Sequence, residues 1–141
     1  MSVSVDRDQA FLDTVCAVAD EFAAPNADAV DRDARFPTET IEALRDARAL
    51  SAFVPARLGG GGVELQTLAA ACFELGRRCG ASAMVFAMHQ IQVVTIARHL
   101  EDADWFEEYL AALAAEQRLI ASATSEVTEA IRRCSSETWA R

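Results

Sequence analysis

The chain has 141 residues, of which 52% are hydrophobic and 25% are charged, and this length fits one domain with a single core. The apolar share exceeds that of an average soluble domain, which excludes a disordered chain. The formal net charge of −9 would repel a phosphate backbone, so nucleic acid is not an expected partner.

Three further features bear on location and chemistry. Met1 to Asp8 contains two aspartates and one arginine instead of a basic, apolar leader, which predicts a cytoplasmic protein. The most apolar segment, Ala81 to Met88, is shorter than the roughly 20 residues of a transmembrane helix, so no membrane association is expected. The cysteines at positions 16, 72, 79 and 134 lack metal-ligand spacing, which predicts reduced thiols and no metal site.

A charged linker is expected between the first two predicted helices. Apolar residues at helical spacing predict a first helix over about Val5 to Ala24. Its inner face is formed by Phe11, Val15, Val18 and Phe22. The Pro-Asn pair at 25–26 is expected to end this helix, and residues 27–36 form the linker. A Phe-Pro pair then opens a second helix, with Ile41 and Leu44 on its inner face.

A glycine-rich loop and a third helix follow. Gly59 to Gly62 predict a connecting loop and not a phosphate cradle, because no strand of a βαβ unit precedes them. The third helix is predicted over about Glu64 to Cys79, with Gly80 as its stop. The residues assigned to its inner face are Leu65, Leu68, Cys72, Leu75 and Cys79.

Two more helices complete the helical part. The fourth is predicted to start at Ser82 as its cap and to reach about His99, and its apolar composition predicts a central position. The fifth covers about Asp104 to Glu116.

The pattern changes after the fifth helix. Within residues 118–126, a small, apolar run ends in Ser125 and Glu126, which predicts the first strand of a β-domain. The residues of this run are Leu119, Ile120, Ala121, Ala123 and Thr124. The expected organisation is a helical domain over residues 1–117, the start of a β-domain over residues 118–127 and a divergent tail over residues 128–141. The predicted fold class is therefore all-α, a bundle of about five helices with the first strand of a missing β-domain at its C-terminal end.

Four segments stand out by their order and spacing. They are Phe36-Pro37 with Ile41 and Leu44, the turn from Phe53 to Gly60, His89 in the middle helix, and Ala121 to Glu126. Together they resemble the amino-terminal α-domain of the acyl-CoA dehydrogenase family over nearly all of residues 5–127.

The resemblance implies an FAD-dependent oxidoreductase, usually oligomeric, that removes hydrogens from Cα and Cβ of an acyl-CoA substrate. In the family, the strand ending in Ser/Thr-Glu runs along the flavin ring. Alignment to that strand makes Ser122, Ala123, Thr124 and Ser125 the predicted cofactor-binding residues. A family histidine aligns with His89, which implies that His89 lines the substrate pocket.

Two departures from the family pattern predict an inactive chain. The family continues after its glutamate with a glycine-rich turn, whereas Val127 to Cys134 contains no glycine. The resemblance also implies a general base supplied from beyond residue 141. We therefore assign no catalytic residue and interpret the chain as the truncated N-terminal portion of such an enzyme, inactive alone.

The same sequence features are compatible with other functions of the chain and with other roles of single residues. The flavin monooxygenase branch of the same fold shares the features that precede Glu126. A different class of function is a non-catalytic helical interaction module, in which the strand edge at 119–125 pairs with another chain. For single residues, Ser125 is alternatively a solvent-facing strand end, and His89 a hydrogen-bonded core residue.

Overall fold

The structure is a computed structural model and describes residues 2–101 and 104–121. Within these ranges the helices are α1 (Ser2–Val18), α2 (Ala24–Arg32), α3 (Thr38–Asp46), α4 (Leu65–Gly76), α5 (Gly80–Arg98) and α6 (Trp105–Glu116). A π-helical turn, Ala19–Ala23, joins α1 and α2 into one rod, so the described residues form five helical bodies and no strand. The predicted all-α bundle of about five helices is confirmed.

Two clusters of buried side chains hold these helices together. The larger cluster lies between the rod, α3, α4 and α5, and Phe86 is its largest fully buried side chain. The smaller cluster joins α5 to α6 and consists of Val54, Val93, Leu110, Leu113 and Ala114. Because α5 contributes to both clusters and contacts α2, α3, α4 and α6, its predicted central position is confirmed.

The expected helix break at residues 25–26 is wrong. α1 runs through the π-helical turn and continues as α2 to Arg32, so most of the predicted linker is helical. Pro25 stands in the first turn of α2, directly after the π-helical turn, which is where a helix tolerates a missing N–H. The side-chain amide of Asn26 donates to the Phe22 carbonyl at 2.9 Å and gives that carbonyl a partner.

The rod ends instead in a Schellman motif at Ala34. Ala34 has a φ of +48°, and the Arg35 amide donates to the Val30 carbonyl at 3.1 Å. This left-handed residue reverses the chain before α3. Ile41 and Leu44 of α3 are buried, as their spacing predicts.

The glycine loop folds back on residues 51–55 through its backbone. Gly59 and Gly62 have φ values of +84° and +58°, a region that favours glycine. The Gly62 amide donates to the Val54 carbonyl at 2.9 Å. A Cβ atom on Gly60 would overlap the carbonyl oxygen and Cβ of Val54. The predicted connecting loop is confirmed, and the close approach of two backbone segments explains why it needs glycine.

The junction between α4 and α5 differs from the expectation. α4 ends at Gly76 and α5 begins at Gly80, so the predicted third helix is too long. Ser82 does not cap α5, because it lies inside the first turn and its hydroxyl donates to the Thr40 hydroxyl at 3.2 Å. Leu65 is 44% exposed and does not belong to the inner face, since it is the first residue of α4 and borders an open groove.

Among the described helices, α5 is the one that is long and apolar enough, by length and composition alone, to cross a membrane. The most apolar segment of the sequence, Ala81 to Met88, is only part of α5, which extends from Gly80 to Arg98. In the structure, α5 buries His89 and Gln90, whose hydrogen-bond partners are carbonyls of residues 49 and 50 of the same domain. One side of α5 contacts four other helices, whereas its apolar residues Met84 and Ile91 are 63% and 53% exposed.

Candidate functional site

The predicted cofactor-binding residues Ser122, Ala123, Thr124 and Ser125 lie outside the described residues, as does most of the expected strand. The structure does describe the chain that leads to them, residues 117–121. Leu119 packs against the larger cluster and Ile120 against the smaller one. Neighbouring side chains therefore point in opposite directions, which is the alternation of an extended chain.

His89 binds this extended chain from the middle of α5. The side chain is 0% exposed. The Ile120 amide donates to His89 Nδ1 at 3.0 Å, and His89 Nε2 lies 2.7 Å from the Leu50 carbonyl oxygen. Because Nδ1 accepts a hydrogen bond, the ring proton is on Nε2, which donates to Leu50. Both ring nitrogens of the neutral histidine are thus occupied by backbone groups.

Burial determines the acid–base behaviour of His89. Removal from water lowers the pKa of the imidazole, and the hydrogen bond to the Leu50 carbonyl raises the pKa by less. The unfolded chain takes up a proton near the ordinary pKa of about 6.5, whereas the folded protein does so only at lower pH. The stability that neutral His89 contributes is therefore fully present above about pH 6.5 and is lost as the pH falls through its lowered folded pKa.

Two glutamines extend the contacts around His89. Gln90 Nε2 donates to the Ala49 carbonyl at 2.9 Å, and Gln117 Nε2 donates to Ser51 Oγ at 2.8 Å. Both side chains are nearly fully buried, and the Oε1 atom of each has no hydrogen-bond partner among the described residues. α5 and the end of α6 are thereby tied to the same short turn, Ala49–Ser51.

Two arginines hold the C-terminal end of α6. Arg48 Nη2 donates to the Ala114 carbonyl at 2.8 Å, and Arg45 Nε donates to the Gln117 carbonyl at 3.3 Å. Cations are favourable there because the last carbonyls of a helix lack partners and carry negative partial charge. Four side chains therefore fix the chain from the end of α6 to residue 120, and Gln90 binds the turn Ala49–Ser51 that they meet. We call this set the His89 anchor, and its members are Arg45, Arg48, His89, Gln90 and Gln117.

Of the His89 anchor, His89 is the member that the sequence singled out as a candidate site residue. A polar residue in an apolar helix marked His89, and the same signal applies to its neighbour Gln90. Gln117 gave no such signal, because its burial depends on a left-handed conformation (φ +51°) that is set by its tertiary contacts. The structure places His89 in the core; its alignment-based role as a substrate-pocket residue stays a prediction.

A separate apolar groove lies between α4 and α5 on the outer surface. It has a volume of about 370 Å³ and is lined mainly by apolar side chains, including Leu68, Cys72, Ala87 and Ile91. Ile91 is 53% exposed, and burial raises the pKa of the Cys72 thiol, which keeps it protonated. We call this surface the α4–α5 groove. Within the described ranges, no group of three or more His, Cys, Asp or Glu residues could hold a metal ion.

Comparison with protein families gives one match. A family model described as "Acyl-CoA dehydrogenase, N-terminal domain" matches residues 6–117. No curated protein and no solved structure matches the chain. The matched range contains α2 to α6 and most of α1, and it ends at Gln117, a member of the His89 anchor.

Proposed function

Because the chain belongs to the acyl-CoA dehydrogenase family, whose amino-terminal domain it contains, we propose that it is the N-terminal portion of an FAD-dependent oxidoreductase. The substrate of such an enzyme is an acyl-CoA thioester, which is dehydrogenated between Cα and Cβ. When bound, FAD accepts the hydride that leaves Cβ. The family match over residues 6–117 is the observation that carries this proposal.

The role of this chain is to carry and orient the segment that faces the flavin. The predicted segment begins at Ser122, two residues after the amide that His89 binds. No described residue is assigned to proton abstraction, so the isolated chain is proposed to be inactive.

Flavin binding and turnover test this proposal separately. FAD is added to the purified chain and its visible absorption is followed, and a spectral change on binding would support the flavin-facing role. We expect acyl-CoA to be left unchanged, because no described residue is assigned as a general base. Ser125→Ala should weaken FAD binding by about 1 kcal/mol, the net value of one hydrogen bond. Equal affinity in both proteins would remove Ser125 from the site, and oxidation of acyl-CoA by the chain alone would contradict its assignment as an inactive portion.

A second candidate function is supported by the α4–α5 groove. Two large apolar side chains that line it, Leu65 and Ile91, are 44% and 53% exposed. A surface of this kind is typical of a protein–protein contact. We propose self-association through it as the alternative to a catalytic role, with a second copy of the chain as the partner.

Self-association predicts a mass that depends on protein concentration. We expect Ile91→Asp to shift the protein toward monomer in light scattering after gel filtration, because it places a charge on the apolar surface. Val5→Asp is the matched control, since Val5 is 65% exposed on α1, away from the groove. A wild-type protein that stays monomeric at every concentration would exclude this function.

A further inference from the structure

A cleft lies between α1, the end of α3 and the glycine loop, and it shares no lining residue with the α4–α5 groove. Its volume is about 320 Å³. Arg7 of α1 and Arg48, which follows α3, both line it, and none of the described residues that line it is Asp or Glu. The walls are mostly apolar and include Ala10, Phe11 and Val63. We call this cavity the arginine cleft.

The fold fixes the position of Arg48 in the cleft. Arg48 has a φ of +56° and occupies the left-handed position after a helix, which favours glycine. Its Nη2 donates to the Ala114 carbonyl at 2.8 Å and lies 3.5 Å from the Gly59 carbonyl oxygen. Its Nε and Nη1 have no acceptor among the described residues. Contacts at Nη2 therefore hold the guanidinium in place, while two of its nitrogens keep hydrogens for a ligand.

Arg7 brings a second guanidinium to the same loop. Its Nη1 lies beside Gly62, 3.4 Å from the place that a Cβ atom of this residue would take. Its ion-pair partner among the described residues is Asp8, with 3.6 Å between Nε and Oδ1, which exceeds a hydrogen-bond distance. Asp8 accepts instead from the Thr67 hydroxyl of α4 at 3.2 Å and does not line the cleft. Both guanidinium groups thus reach the loop without a carboxylate in the cleft.

The polar binding groups of the cleft are these two guanidinium groups. The amides of residues 59–62 all donate to backbone carbonyls of residues 51–56, so the loop is not an anion-binding nest. The hydroxyls of Thr14 and Ser51, which also line the cleft, donate to backbone carbonyls. Two positive charges that share a cleft repel each other. An oxyanion between them removes this repulsion and accepts hydrogen bonds from both planar groups.

We propose that the arginine cleft binds a phosphate monoester with a small apolar body. A phosphate monoester carries a charge of about −1.5 to −2 at neutral pH and three acceptor oxygens, so it matches two guanidinium groups. A carboxylate would balance one of the two positive charges. The apolar walls and the volume of about 320 Å³ accommodate an aromatic or short aliphatic body beside the phosphate. This ligand goes beyond the proposed function, because neither the flavin role nor self-association through the α4–α5 groove involves the arginine cleft.

The first experiment titrates the complete 141-residue chain with phenyl phosphate and follows the backbone amide signals by NMR. We expect saturable shifts of the amides of residues 59–61, with a dissociation constant of about 1 mM or below. Arg7→Gln removes one charge from the cleft and should raise this dissociation constant by about tenfold or more, because charge-assisted hydrogen bonds are lost. Arg32→Gln is the matched control, since Arg32 is exposed, pairs with Asp33 and does not line the cleft. Equal affinity of wild type and Arg7→Gln would overturn the proposal.

The second experiment leaves both arginines in place. Ala10 is exposed and lines the cleft, so Ala10→Asp adds a carboxylate that competes with the ligand for the guanidinium groups. We expect the dissociation constant for phenyl phosphate to rise by about tenfold or more. Ala24→Asp adds the same charge at an exposed position of α2 outside the cleft and should bind as wild type does. Wild-type affinity in Ala10→Asp, or an equal loss in Ala24→Asp, would contradict a site in this cleft.

A comparison of ligands tests the chemical class. Benzoate has the same ring with a single negative charge, and its dissociation constant should be about tenfold or more above that of phenyl phosphate. Inorganic phosphate lacks the ring that contacts the apolar walls and should also bind more weakly than phenyl phosphate. Benzoate that binds as tightly as phenyl phosphate would overturn the choice of a phosphate. Inorganic phosphate that binds as tightly would overturn the apolar body.

Discussion

Gly60→Ala should destabilise the domain by about 3 kcal/mol or more, which is a large part of the roughly 5–15 kcal/mol that holds a domain folded. The added Cβ would overlap the carbonyl oxygen and Cβ of Val54, and both belong to a segment that the glycine loop pairs with through its backbone. A backbone carbonyl has no rotamer through which to move aside, so the loop and the turn must separate. Thermal unfolding should show the melting temperature lowered by about 10 °C.

Gly80→Ala is the control for this substitution. Gly80 is the first residue of α5, and a Cβ atom there has nothing within 4 Å. Alanine is the better helix former, so stability should be unchanged or raised by up to about 1 kcal/mol. If both variants melt at the wild-type temperature, the close approach of Gly60 to Val54 is not a feature of the folded protein.

Phe86→Ala should cost about 3–5 kcal/mol, because it leaves a cavity in the larger cluster that α5 shares with the rod, α3 and α4. Phe86 is 0% exposed, and the helices around it are fixed by their other contacts, so the space is only partly refilled. The free energies of unfolding of wild type and variant are measured by denaturant titration. They are compared provided that both depend on denaturant concentration with the same slope.

Phe73→Ala applies the same chemical change on the surface. Phe73 is 65% exposed on α4, and its ring centroid lies 6.0 Å from the guanidinium carbon of Arg77. Loss of this cation–π contact should cost about 1 kcal/mol or less. A loss of stability in Phe73→Ala that equals that in Phe86→Ala would contradict the assignment of the core.

Local signals in the sequence were sufficient for most of the bundle. Apolar spacing identified α3, α5 and α6, and it placed Ile41 and Leu44 on a buried face. Consecutive glycines identified the loop before α4, since a run of glycine is costly in a helix. These features depend on residues that lie close together in the chain. The spacing of apolar residues and glycines along the sequence therefore predicts them directly.

The errors come from contacts between residues far apart in the chain. Ser82 was expected to cap α5, but Thr40 of another helix accepts its hydrogen bond in the core. Leu65 has helical spacing to the buried residues of α4, yet no neighbouring element covers it. A pattern along one helix contains no information about which elements meet it.

The candidate site was predicted less completely than the fold. His89 could be singled out because it is a polar residue in an apolar helix. Its bonds to Leu50 and Ile120 follow from tertiary structure, which the sequence pattern does not contain. Gln117 is buried only because the end of α6 meets the turn that contains Ser51. The family match confirms the resemblance, and the roles of Ser122 to Ser125 stay predictions.

The π-helical turn Ala19–Ala23 affects how relatives of this chain should be aligned. A π turn contains one residue more than an α-helical turn, so the buried positions after it are displaced by one along the sequence. An ungapped alignment to a relative with a regular helix in this region would be out of register by one residue on one side of the turn. The helix positions compared between two such proteins would then not be structurally equivalent, even though both sequences are helical throughout.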